Sequence, residues 1–265
     1  MIKLERTDPS TGNPIPVPDP LNSLDTIAYR NELIGQGRWK TDKIYTKPYK
    51  NSPVRTALML FSSKKCSFCE QRLNIATGNT HQEDDFSREH FRPKSKYWWL
   101  AYSWDNLLPV CRACNGVKDH DFDITGTFRS YLATDLVNIH NLAATYNAVE
   151  QPNYIHPEWD DPETVLTFSA NGSINSTDSR AKNTIKAYDL NRTELQRLRK
   201  QIYDNFKTEH DLILLSGKTD AEKKADIVTK FRAFTIEAYK TGNPFLGFRR
   251  HIMRNDIRGM VVSQL

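Results

Sequence analysis

The chain has four cysteines, and all of them fall in two C-x-x-C pairs, "CSFC" at 66–69 and "CRAC" at 111–114. Four thiolates are the ligand set of a closed tetrahedral structural zinc, which would staple together two segments distant in sequence. In a reducing compartment this arithmetic favours a metal over disulfides. Between the pairs, "SREHFRPKSKYWW" at 87–99 sets Glu89 beside His90 and follows them with Arg92, Lys94 and Lys96. An imidazole with an ordinary pKa near ~6.5 can take a proton from water at neutral pH. A carboxylate is a hard oxygen ligand for Mg²⁺ or Mn²⁺, and cationic side chains contact phosphate.

Read outward, the same region gives Trp104-Asp105-Asn106-Leu107, then Cys111-x-x-Cys114-Asn115, then Lys118. In that order, over residues 66–118, the sequence resembles the HNH endonucleases of the ββα-metal class, in which a hairpin and a helix hold a divalent cation. The resemblance implies that His90 is the general base and Asn106 braces the connecting loop. It also implies that Asn115 and Glu89 bind the catalytic cation, Mg²⁺ or Mn²⁺. Glu89 stands where the class more often has Asp, and Asn115 where it often has His. The chemistry matches the residue types: hydrolysis of a phosphodiester needs a base for water and a cation for the charge that builds on oxygen. Arg92, Lys94, Lys96, Arg112 and Lys118 are the candidate nucleic-acid contacts. Adjacent strand residues point to opposite faces, so Glu89 and His90 share a site only where the strand bends or ends, as Pro93 permits.

Elements must position these residues. Residues 8–20, with five prolines, predict an extended arm. Ser23 caps a predicted helix over 23–34 that Gly35 and Gly37 end, and 54–63 predicts another. A polar loop at 77–85 precedes a short strand at 88–91 and an apolar strand at 106–110. A short helix follows Cys114, with Asp119, His120, Asp121 and Asp123 read as the polar turn closing it. Residues 127–147 read as an amphipathic helix, 159–174 as a hairpin about Asn171-Gly172, and the last third as mostly helical. Trp98, Trp99, Tyr102 and Trp104 read as core against the hairpin, and the histidines at 81, 140, 156, 210 and 251 as surface or ordinary core residues. The expected architecture is α+β, a zinc-stapled ββα-metal core embedded in a mainly α-helical chain. Its parts are an N-terminal arm and short helix (1–53), the nuclease core (54–126) and a mainly helical C-terminal region (127–265).

At 265 residues the chain is long enough for a substantial core, and no apolar run approaches the ~20 residues of a membrane span. The N-terminus reads as polar and proline-rich where a secretory signal would need an apolar stretch, so a cytoplasmic protein is expected. The formal charge of +5 is uneven: residues 127–175 hold one basic and six acidic residues, and 176–265 hold 18 basic and 11 acidic. A basic surplus suits a polyanion. The run "PEWDDPETVLTFSANGSI" with "AKNTIKAYDLNRTELQRLRKQI" is similar to the downstream region of HNH proteins found with retrons and in Septu-type anti-phage systems. That likeness implies an effector nuclease working beside an ATPase of the ABC/SMC type, with the acidic segment and the basic tail as candidate docking surfaces. The rival reading is a zinc-stabilised nucleic-acid-binding or adaptor module without catalysis. No base-reading module such as a helix-turn-helix is recognisable, which argues against tight sequence specificity.

Overall fold

The structure, a computed structural model, describes residues 1–73, 85–118 and 122–264. The sequence-predicted loop at 77–85, apart from Asp85, lies outside the described residues, as do His81, Asp119, His120 and Asp121. The chain is α+β, with several helices and two small two-stranded sheets. Helix α1 (Leu24–Gln36) starts where expected, because the Ser23 side chain accepts a hydrogen bond from the Thr26 N–H. It ends on Gly37 in the left-handed conformation, with φ of 64°. Helices α2 (Lys43–Lys50) and α3 (Ser52–Phe61) follow, and α3 leads into the first cysteine pair.

Strands β1 (Phe86–His90) and β2 (Leu107–Cys111) pair antiparallel, with Glu89 opposite Leu108 and His90 opposite Leu107. Helix α4 (Arg112–Lys118) begins directly at the end of β2, three residues earlier than the sequence predicts. The second cysteine pair therefore straddles a strand end and a helix start. The aromatic run between the strands is core: Trp99, Tyr102 and Trp104 are buried and Trp98 packs against them.

The region 127–147 is the clearest departure. It contains a 3₁₀ turn at Ala133–Asn138 and then α5 (Ala143–Glu150), not one amphipathic helix. The preceding backbone is drawn out alongside the end of α5, with Gly126 N–H donating to the Glu150 carbonyl and Thr127 N–H to Val149. A Cβ on Gly126 would meet the Val149 carbonyl at 2.1 Å, so glycine is required for this approach. Long-range pairing here overrides the local helical pattern.

Helix α6 (Pro162–Val165) opens the expected hairpin, β3 (Thr167–Phe168) with β4 (Ile174–Asn175). Its turn carries Gly172 at φ of 86°, and a side chain there would strike the Gln196 carbonyl. Helices α7 (Ser179–Ala187), α8 (Thr193–Leu215) and α9 (Asp220–Tyr239) follow. The chain closes with α10 (Leu246–Ile252), a π-helical turn at Met253–Ile257, and α11 (Arg258–Val262). The buried Arg199 of α8 donates to the carbonyls of Gly172 and Leu190, tying the long helix to the hairpin.

Five of the six acidic residues of the acidic segment are held in ion pairs. Asp135 pairs with Arg129, Glu150 with Arg92, Glu158 with Arg6, Asp160 with Arg180 and Glu163 with Arg250. Several of these arginines come from distant segments, so the local negative charge is an internal receptor for them.

Candidate active site

The first cysteine pair is a tight knuckle laid against β2. Ser67 donates from both its N–H and its hydroxyl to the Pro109 carbonyl, and Glu70 N–H returns to the Cys66 carbonyl. Pro109 sits opposite Arg88 in the hairpin, so its carbonyl is where the knuckle and the sheet join. The result is a cluster of four buried thiols, Cys66, Cys69, Cys111 and Cys114, whose sulfurs all lie within 4.8 Å of one another. Cys69 and Cys111 Sγ are 3.8 Å apart, far beyond the ~2.05 Å of a disulfide. A tetrahedron with Zn–S near ~2.3 Å has edges of about 3.8 Å, so the donor set fits zinc in number, chemistry and spacing.

Burial pushes the Cys66 thiol well up, whereas hydrogen bonds from the other cysteines push Cys111 down. The cluster thus holds thiolate only with a compensating cation. Arg192, just before α8, supplies a second one: its Nη1 lies 3.6 Å from Cys114 Sγ and its Nη2 3.7 Å from Cys111 Sγ. Tyr188 stacks on Phe68 of the knuckle with ring centroids 3.6 Å apart. Sequence reasoning missed both residues, because nothing in the local pattern marks a partner more than 70 positions away.

Strand β1 ends at His90, and the two candidate side chains meet different neighbours. Glu89 is buried and receives the Lys118 ammonium at 2.6 Å, with the Tyr188 hydroxyl at 3.5 Å. Burial pushes its carboxyl above the ordinary value against the pull of Lys118. Lys118 also donates to the carbonyls of His90 and Phe91, closing α4 onto the end of β1. His90 turns toward α2, where Tyr49 meets its ring edge-on at 4.8 Å. Its Nε2 lies 3.0 Å from the Ala101 carbonyl. A carbonyl only accepts, so Nε2 carries the proton and Nδ1 keeps the lone pair in the neutral ring. Burial, reinforced by the charges of Lys94 and Lys118, lowers the His90 pKa to about 3.

Asn106 lies at the mouth of the hairpin. Its Oδ1 accepts from Arg92 N–H at 2.8 Å, and its Nδ2 donates to the carbonyls of Arg92 and Leu100 at 3.0 and 3.2 Å. One amide therefore fastens both ends of the segment from 92 to 100. Asn115 is partly buried on α4. The Glu89 carboxylate and the Asn115 amide are both hard oxygens of the kind a divalent cation takes. The Glu89 Oε1 already has the Lys118 ammonium against it.

Of the five candidate phosphate contacts, two are corrected by their surroundings. Arg92 is 2% exposed, with Nε 2.7 Å from Glu150 and Nη2 2.8 Å from Asn147. Lys118 is 1% exposed and paired as described. Both are held inside by carboxylates that burial would otherwise leave uncompensated. Lys96 and Arg112 are exposed, and Lys94 is half-buried with its ammonium 5.5 Å from the Trp39 ring centre. Among the histidines, His140 takes a hydrogen bond from Trp104 N–H and reaches Asn22, and buried His156 takes one from Glu158 N–H. Neither adds a ligand.

A known protein is similar to this chain along most of its length. The Septu protein PtuB of Bacillus mycoides (strain KBAB4) is 28% identical over 220 residues, covering 76% of this chain and 67% of that protein. This chain is similar to the Septu proteins. The Septu protein PtuB of Bacillus thuringiensis is 39% identical over 82 residues, which cover 30% of this chain but only 28% of that protein. The Septu protein PtuA of the same B. mycoides strain is 26% identical over 153 residues, 54% of this chain and 20% of that one. Neither a protein-family model nor a solved structure matches the chain. No helix of the described residues is long and apolar enough to cross a membrane.

Proposed function

We propose that the protein is a metal-dependent HNH endonuclease that hydrolyses phosphodiester bonds, built as a ββα-metal core over 54–126 between an N-terminal arm (1–53) and a helical region (127–265). The observation that carries this reading is the junction of β1, β2 and α4. Glu89 and His90 end one strand, Asn106 pins the loop between the strands, and Asn115 rides on the helix that the cysteine cluster fixes to the sheet. Mg²⁺ or Mn²⁺ held by Glu89 and Asn115 would supply charge neutralisation at phosphate oxygens. His90, neutral and fixed through Nε2, takes a proton from the attacking water at Nδ1. Zinc in the four-cysteine cluster has a structural role.

Similarity to proteins named PtuB and PtuA supports a place in a Septu-type bacterial anti-phage system, with an ATPase of the ABC/SMC type as the partner. Two observations favour the rival, non-catalytic reading: the Glu89 carboxylate already has Lys118 as its cation, and a His90 pKa lowered by burial to about 3 makes the imidazole a weak base at neutral pH. The two readings separate on Mg²⁺-dependent cleavage of plasmid, single-stranded DNA and structured RNA, assayed with and without EDTA. Cleavage that EDTA stops supports the nuclease. Zinc-loaded protein that cuts none of them in the presence of the partner contradicts it.

A further inference from the structure

The sequence reading placed nucleic-acid contacts between residues 92 and 118, and two of those five side chains are internal. A different cationic surface borders His90. Residues 38–50, "RWKTDKIYTKPYK", hold five basic residues and one acidic residue, interleaved with Trp39, Tyr45 and Tyr49. In α2 the two kinds of residue separate by face. Tyr45, Pro48 and Tyr49 are buried, and Lys43, Lys47 and Lys50, spaced i, i+4, i+7, are exposed along the opposite side. At 1.5 Å per residue their origins are about 6 and 4.5 Å apart along the axis.

Among the described residues none of these three lysines is in an ion pair, whereas Lys40 is paired with Glu32 and the exposed lysines of α8 and α9 include several paired with carboxylates. The helix abuts the candidate base directly. Tyr49 packs on the His90 ring, and the Lys50 carbonyl accepts from Arg88 of β1 at 3.1 Å. Trp39, beneath Lys94, packs on Tyr45 and Tyr49. The aromatic residues therefore anchor the helix and leave its lysines turned outward. On the other side of Lys47, Asp19 and Asp25 border a shared cavity of about 520 Å³ without pairing with it.

We propose that the Lys43, Lys47 and Lys50 face of α2 holds the phosphate backbone of nucleic acid on the outer side of the helix that packs on His90. The proposal deepens the nuclease reading and rests on it. Charge is the argument: three unpaired cations in a row, one helix away from the candidate base, match a polyanion and no apolar partner.

The test is binding, in the non-cleaving His90→Ala background, of single-stranded DNA, duplex DNA and single-stranded RNA of equal length from 50 to 300 mM KCl. Each phosphate contact contributes ~0.9 to the log–log salt slope for duplex and ~0.7 for single strands. Lys43→Gln/Lys47→Gln/Lys50→Gln should therefore flatten the slope by roughly 2 to 3 and weaken low-salt binding at least tenfold, with an unchanged melting temperature. Lys200→Gln/Lys207→Gln/Lys218→Gln, which removes paired lysines elsewhere, should leave the slope nearly unaltered. An unchanged slope in the α2 variant, or equal flattening in both variants, overturns the proposal. So does a variant that binds nucleic acid normally but loses a protein partner, since the face would then be a protein dock. Normal cleavage by otherwise wild-type protein carrying the α2 changes would sink the surface and spare the nuclease. Absence of both binding and cleavage in the wild-type protein would sink both.

Discussion

Asn106 bonds through both ends of its amide, and the three backbone groups it satisfies are buried with it. Asn106→Ala strands the Arg92 N–H and the Arg92 carbonyl, while the Leu100 carbonyl keeps the Ser103 N–H, so a loss of roughly 2–4 kcal/mol in urea unfolding is expected. Asn106→Asp keeps the acceptor but replaces the donor, and should recover only part of that. His140 gives a pH test. Burial, with the charge of Arg30, lowers its pKa to about 4, whereas the unfolded chain titrates near ~6.5. Between these values the unfolded state binds a proton that the folded state does not. The stabilisation is therefore complete above pH ~6.5 and declines as pH falls toward 4. His156, lowered mainly by burial, acts in the same sense, and Asp105 and Glu158, raised by burial, oppose it. Melting temperatures from pH 7.5 to 4.5 should fall less steeply in His140→Asn than in the parent; identical slopes would contradict this. Residue types were readable in the sequence, but partners were not. Asn106 carries the hydrogen-bonding capacity of a loop brace in its chemistry, whereas the tie between Arg92 and Glu150 spans 58 positions with no local signal.

The hairpin of β1 and β2 has five residues per strand and needs outside support to hold its register. Cysteines supply it from α3's end and α4's start. Chelation should release about one zinc per chain and loosen the hairpin, visible as a large drop in melting temperature, and Cys114→Ser should do the same. Arg192 joins this centre to α8. Arg192→Leu removes the guanidinium that faces two sulfurs and should weaken zinc binding about 10–100-fold in a chelator competition. Unchanged competition would show that Arg192 only packs there. Capped helices such as α1 and the β3–β4 turn were legible because their signals are local. The stretch 127–147 was not, since pairing of residues 125–127 with the end of α5 replaces the helix its pattern favours. Likewise α2, which carries Pro48 within it, has no strong helix signal, and its separation of lysines from tyrosines emerges only once it folds.

Across the whole molecule, charge is sorted by burial. Most acidic residues of the middle of the chain are held in ion pairs with arginines, several of them from the arm, the loop after β1 and the C-terminal helices, while many lysines stay outside. Net charge by segment locates the acid but takes no account of which side chains fold inward. The same sorting leaves the α2 lysines turned outward on the helix whose Tyr49 packs on His90. The central claim is that His90 acts in phosphodiester hydrolysis. The direct measurement is cleavage in Mg²⁺ by wild type and by His90→Ala, each at equal zinc content and with the candidate ATPase present. The account predicts cutting by wild type that EDTA abolishes, and at least a ~100-fold slower rate in His90→Ala with zinc and melting temperature unchanged. Equal cutting by the two proteins would contradict it.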